Sequence, residues 1–165
     1  MKRGRGRWIP ACAGMTEIMK KEPYKLDVKN LIVKGSVGSK EIFSVKATPD
    51  IEIDEENVLK AYEGEVKATL LEDSILAEFN INYEMETVCA RCLKTFLRKG
   101  AISFDREYLI GKRAVAPRTG RYMAGADGLI VDKEFCIEVA GPILEEIAFD
   151  IPMKPLCKES CKGIT

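Results

Sequence analysis

Two cysteine pairs have the spacing to do chemistry. Val88-Cys89-Ala90-Arg91-Cys92-Leu93 is a C-x-x-C, and Pro155-Leu156-Cys157-Lys158-Glu159-Ser160-Cys161-Lys162-Gly163 contains a C-x-x-x-C. Thiolates two or three residues apart in a tight turn can share one tetrahedral ion, with backbone N–H groups stabilising their charge. Four thiolates close the coordination shell, so Cys89, Cys92, Cys157 and Cys161 are candidates for a structural zinc site with no open position for a substrate. Sixty-four residues separate the pairs, a wider gap than in a compact zinc ribbon. Spacing therefore leaves two readings open: one shared ion that pins the C-terminal tail, or two unrelated thiol pairs. A redox C-x-x-C fits less well, because that motif opens a helix in a βαβ setting, and the neighbours here are basic. Cys136 reads as a small buried residue at the start of a helical pattern.

The chain has no histidine. That excludes Ser-His-Asp and Cys-His catalysis and leaves cysteine and carboxylate as zinc ligands. There is no P-loop, no dinucleotide fingerprint and no carboxylate cluster at metal-site spacing, so a non-enzymatic protein is expected.

The zero net charge hides a pattern. Residues 1–14 carry four basic side chains and no acid; residues 15–86 hold 9 basic and 16 acidic. Residues 87–126 hold 9 basic and 2 acidic, whereas residues 127–165 hold 4 and 8. Basic character is thus concentrated in the stretch that contains the C-x-x-C. Arg91, Lys94, Arg98, Lys99, Lys112 and Arg113, with Arg118 and Arg121, are candidates for phosphate contacts. Phe96, Phe104, Tyr108 and Tyr122 could stack on unpaired bases. The alternative is that the charges are a solvated face and the aromatics are core.

The elements that must position these residues read as mostly strands. The clearest runs from Ala77 to Met85: Ala77, Phe79, Ile81, Tyr83 and Met85 on one face, Glu78, Asn80, Asn82, Glu84 and Glu86 on the other. Such alternation describes a strand with one buried and one wet face. Leu26, Val28 and Asn30, with an extension through Ile32-Val33, then Phe43, Val45 and Ala47, and then Val66, Ala68 and Leu70 alternate likewise. Val58, Leu59 and Tyr62 suggest a short helical turn or another strand. Glu72-Asp73-Ser74 is a hairpin-like break. Ile102, Phe104, Tyr108 and Ile110 alternate, with Arg106 the exception on that face. Glycine and proline between residues 111 and 128 predict a long exposed loop. Ala140, Ile143, Leu144, Ile147, Ala148 and Ile151 fall near one helical face, with Glu145, Glu146 and Asp150 opposite. Pro142 opens this helix or kinks a longer one starting after Asp132, and Pro152 and Pro155 end it.

The fold expected is therefore α+β: mainly an antiparallel β-sheet or partly open barrel, with one C-terminal helix and a Cys-rich tail. Residues 1–18 are expected to lie outside the fold, as a mis-called start or disordered arm, and residues 19–165 to form one domain. Trp8 through Thr16 resembles a peptide produced when interspersed genomic repeats are translated upstream of a start, and Met15 and Met19 are plausible starts. No apolar run approaches the roughly 20 residues that cross a bilayer, and a cytoplasmic location is expected, where thiols stay reduced.

The strand Ala77–Met85 running into Cys89-Ala90-Arg91-Cys92-Leu93, and the segment Ile151-Pro152-Met153-Lys154-Pro155-Leu156-Cys157 through Cys161-Lys162-Gly163, resemble the YceD family of bacterial proteins. The resemblance covers roughly residues 20–163. It implies a role in accumulation or maturation of large-subunit ribosomal RNA, without enzymatic activity. The expected partner is ribosomal RNA or a preribosomal particle, with no membrane and no small-molecule substrate. The alternative is a protein-interaction module that binds a ribosomal protein or another partner without touching RNA. Family members often carry further cysteines after the Lys-Gly step; here at most four ligands are available.

Overall fold

The computed structural model describes residues 24–111 and 129–164. The region predicted to lie outside the fold, and Lys112, Arg113, Arg118, Arg121 and Tyr122 of the predicted loop, are outside the described residues. The elements are β1 (Lys25–Asp27), α1 (Lys29–Lys34), β2 (Lys40–Ala47), β3 (Ile51–Asp54), β4 (Asn57–Leu70), β5 (Ser74–Val88), β6 (Thr95–Leu109), β7 (Cys136–Glu138) and α2 (Ala140–Asp150).

Strand alternation organises one five-stranded sheet in the order β2-β4-β5-β6, with β3 paired to β4 beside β2. Every pairing in it is antiparallel. β1 and β7 form a separate antiparallel ribbon with Leu26 opposite Ile137. The sheets are open and do not close into a barrel. In the Ala77–Met85 pattern all five apolar residues are buried and Asn80 and Asn82 are exposed, as expected, whereas Glu78, expected to be exposed, is half-buried beside Lys67. The Glu72-Asp73-Ser74 break closes the β4–β5 hairpin, where Leu71 donates its backbone N–H to Ser74 at 2.8 Å.

Side chains on the inner face of this sheet join one hydrophobic cluster with Leu26, Val28, Leu31, Ile137, Val139, Ile143 and Ile147, so the β1–β7 ribbon, α1 and α2 cover that face. Phe104 stacks on fully buried Phe79, centroids 4.4 Å apart with planes 5° from parallel. Tyr108 is fully buried, and its hydroxyl donates to the Glu138 carbonyl at 2.7 Å. Two of the four aromatics proposed for base stacking are therefore core residues.

Three expectations need correction. The run from Val28 to Val33 is not an extension of β1 but begins a single helical turn. Asp27 Oδ1 accepts the Lys29 backbone N–H at 2.9 Å, which starts the turn, and Val28 and Leu31 are buried at helical spacing. Cys136 lies in β7, not at a helix start, and is buried. The third concerns α2. Of the two places expected for Pro142, the structure has the first: it sits in the first turn, where its missing N–H costs nothing. Of the residues assigned to its apolar face, Ala148 is exposed; of those assigned to its polar face, Glu146 and Asp150 are half-buried against β6. The cause lies in β6. Arg106, the exception in its apolar pattern, and Arg98 project from the inner face, and each needs a carboxylate. Arg106 donates to Glu146, and Arg98 Nη2 donates to Asp150 at 3.0 Å.

Candidate metal centre and its basic rim

The C-x-x-C forms the turn between β5 and β6, the two longest strands. Register pairs Val88 with Thr95, so the residues between them must reverse direction tightly. They do so with Leu93 N–H donating to the Cys89 carbonyl at 2.9 Å and Cys89 N–H donating to Lys94 at 3.0 Å. Leu93 takes φ 57°, a left-handed conformation that costs a non-glycine residue about 1–2 kcal/mol. The turn joins two antiparallel strands and opens no helix, so the setting of a thioredoxin-like motif is absent.

The C-x-x-x-C follows α2. Proline at 152 and 155 stops the helix and sends the chain back to the β5–β6 turn. There the Pro155 carbonyl accepts the Ala90 N–H at 2.8 Å, and Arg91 Nη1 donates to the Cys161 carbonyl at 3.0 Å. Gly163 has φ 83° and lies against the Arg91 backbone: a Cβ there would stand 3.3 Å from the Arg91 carbonyl oxygen. Three contacts thus seam the loops before the sulfurs are considered.

The four sulfurs converge. Cys89 Sγ lies 3.8 Å from Cys161 Sγ, and Cys92 Sγ lies 3.8 Å from Cys157 Sγ. All four lie within 4.8 Å of one another. None of the four is disulfide-bonded. A tetrahedral zinc–thiolate centre with bonds of about 2.3 Å requires sulfurs about 3.8 Å apart, the bond length times the tetrahedral edge ratio. The donor set and spacing therefore fit one divalent ion with a closed shell.

Electrostatics points the same way. Backbone N–H groups of Cys92 and Cys157, with Arg91 adding to them, hold the Cys89 thiol well below its usual range, down to about 6. Burial, then the neighbouring thiols, push Cys157 up to about 12. Backbone N–H groups thus favour charge on Cys89, whereas burial opposes charge on Cys157, an opposition that a cation held between them would relieve.

Among the described residues, the candidate phosphate-binding side chains are divided between the two faces of the sheet and the cysteine turn. Arg98 and Lys99 are adjacent in β6 and so face opposite ways. Arg98 lies inward, donating to the Tyr83 hydroxyl as well as to Asp150, while Tyr83 itself donates to Asp150. Burial, then the bond to Asp150, pushes the Tyr83 phenol up to about 12. Lys99 lies on the outer face and pairs with Glu84 at 2.7 Å. On that face it borders a hollow of about 800 Å³ that also holds the ion pair Lys46–Glu63. Arg91 and Lys94 sit in the cysteine turn itself. Lys154, Lys158 and Lys162 border the second cysteine pair and lie outside the basic stretch of residues 87–126. Their only signal was position beside Pro155, Cys157 and Cys161; the acids of residues 127–150 masked them in the charge count.

This is a small antiparallel-sheet protein whose C-terminal segment is seamed to its longest hairpin around four thiols that could hold a metal ion. The family model described as large ribosomal RNA subunit accumulation protein YceD matches residues 77–165, from β5 through both cysteine pairs. That is more than half of the chain, and the chain belongs to the YceD family, whose name implies a role in accumulation of large-subunit ribosomal RNA. No curated protein and no solved structure matches. Among the described residues, no helix is long and apolar enough to cross a membrane.

Proposed function

We propose that this protein is a non-enzymatic, cytoplasmic factor in accumulation and maturation of the large-subunit ribosomal RNA, bound to that RNA or to a preribosomal particle. Residues 19–165 act as one domain, with a structural zinc ion held by Cys89, Cys92, Cys157 and Cys161. Zinc contributes folding free energy here by tying the tail to the β5–β6 turn, and it does no catalysis because no ligand position is left open. The observation that carries this reading is the convergence of four thiols from loops 64 residues apart, within a family named for this RNA.

A second reading is a protein-interaction module. It is supported by the acidic β3–β4 hairpin, where Glu52, Asp54, Glu55 and Glu56 are exposed and offer complementary charge to a basic ribosomal protein. Sedimentation of the protein with large-subunit precursor particles, before and after ribonuclease treatment and over a salt series, tests both. Ribonuclease-sensitive, salt-sensitive association is expected. Association that survives ribonuclease and resists salt would overturn RNA contact and favour the protein-partner reading.

A further inference from the structure

We propose that the lysine rim of the cysteine centre, Lys94, Lys154, Lys158 and Lys162, is the surface that binds the phosphate backbone of single-stranded ribosomal RNA; this deepens the RNA-associated reading above and rests on it.

Most cations elsewhere in the fold have carboxylate partners. Arg98 and Arg106 hold α2, and Lys25, Lys46, Lys60, Lys67 and Lys99 pair with carboxylates within 4.0 Å. Lys94, Lys154, Lys158 and Lys162 are exposed and form no ion pair among the described residues. Arg91 bonds a backbone carbonyl and forms no ion pair among the described residues. Glu159 is the one acid in the two loops, so the lobe is basic overall.

The seam brings together the two loops that carry these lysines. Lys94 closes the β5–β6 turn through its carbonyl, and Lys154 precedes Pro155, whose carbonyl bonds Ala90. Lys158 and Lys162 each follow a cysteine whose sulfur lies 3.8 Å from a cysteine of the other loop. The two negative charges that four thiolates leave on a divalent ion do not cancel the rim, because Cys89 and Cys161 are buried while the lysines are in water.

Flexible ammonium groups suit a phosphate chain, and exposed Leu93 and Ile164, 64% and 71% accessible, offer apolar surface to unstacked bases. The occupant is a polyanion with exposed bases, which separates it from a free phosphate.

The test is binding of the zinc-loaded full chain to an in-vitro transcribed single-stranded fragment of large-subunit ribosomal RNA. With four phosphate contacts on a single strand, the salt slope is roughly −2.8, so a fourfold rise in salt weakens binding about 50-fold. The variant Lys94→Gln/Lys154→Gln/Lys158→Gln/Lys162→Gln should lose most of that slope. A charge-matched control, Lys29→Gln/Lys34→Gln/Lys40→Gln/Lys133→Gln, should keep it, since those exposed lysines lie away from the lobe. Amine-reactive labelling of the wild-type protein gives a readout that does not depend on variants folding: bound RNA should shield the four rim lysines and not the four control lysines. Wild-type-like binding by the rim variant, with no shielding of the rim, overturns this surface while leaving RNA association intact. If the wild type does not bind the RNA and instead binds polyglutamate through the rim, the RNA reading falls with it.

Discussion

Arg98→Gln separates a structural arginine from a nucleic-acid contact. The guanidinium leaves β6 on the inner face, donates to Tyr83 and Asp150, and lies 5.7 Å from the centre of the Tyr83 ring. Tyr83 is 2% exposed and donates to the same carboxylate, so three side chains close one network between sheet and helix. A hydrogen bond to a charged group contributes about 1.5–3 kcal/mol. Arg98 and Asp150 are 24% and 37% accessible, so solvent screening lowers the value, and a loss of about 1–2 kcal/mol is expected. For a chain of this size that lowers the melting temperature by roughly 2–8 °C. Lys99→Gln, one residue on, removes a pair that is 74% and 42% accessible and should leave the melting temperature close to that of the wild type. Both are measured by thermal and urea unfolding, with RNA affinity measured alongside. The expected pattern is a destabilised Arg98→Gln protein that, once folded, binds RNA like the wild type. An Arg98→Gln protein of unchanged stability with weakened RNA binding would refute the reasoning.

Phe79→Ala removes a fully buried ring stacked on Phe104 and should cost about 3–5 kcal/mol by urea unfolding; a change below 1 kcal/mol would contradict the packing. Gly100→Ala places a Cβ 2.3 Å from Cζ of Tyr83 and should cost about 1–3 kcal/mol by overpacking. Its effect combined with Tyr83→Ala should be less than the sum of the two single changes, and strict additivity would show that the ring is not the obstacle. Zinc at a thousand times its dissociation constant stabilises by about 4 kcal/mol. Chelation or Cys161→Ser should therefore lower the melting temperature and open the tail to trypsin at Lys158 and Lys162 before the sheet is cut; unchanged resistance would mean that the hydrogen-bonded seam holds the tail alone.

The sequence was legible where one face of a strand is apolar throughout. β5 shows this best, because neighbours cover its inner face from Ala77 to Met85. β6 was legible only from Ile102 onward. Its first half places Arg98 and Gly100 on the inner face, and both are explained by Tyr83, which fills the space over the glycine and bonds the arginine. No local pattern encodes that. α1 was misread because a six-residue helix is too short to separate its period from a strand's. The charged side of α2 was misassigned because two of its acids serve arginines on another element. Each cysteine pair was plain from its spacing, but their meeting across 64 residues depends on α2 returning the tail to the β5–β6 turn. The lysines beside the second pair were hidden by the acids averaged with them.

Metal content tests the account's centre most directly. Protein purified without added zinc should carry one zinc per chain by elemental analysis. X-ray absorption should show four sulfur ligands at about 2.3 Å. Metal-free protein whose four thiols react freely and whose stability is unaffected by zinc would contradict it.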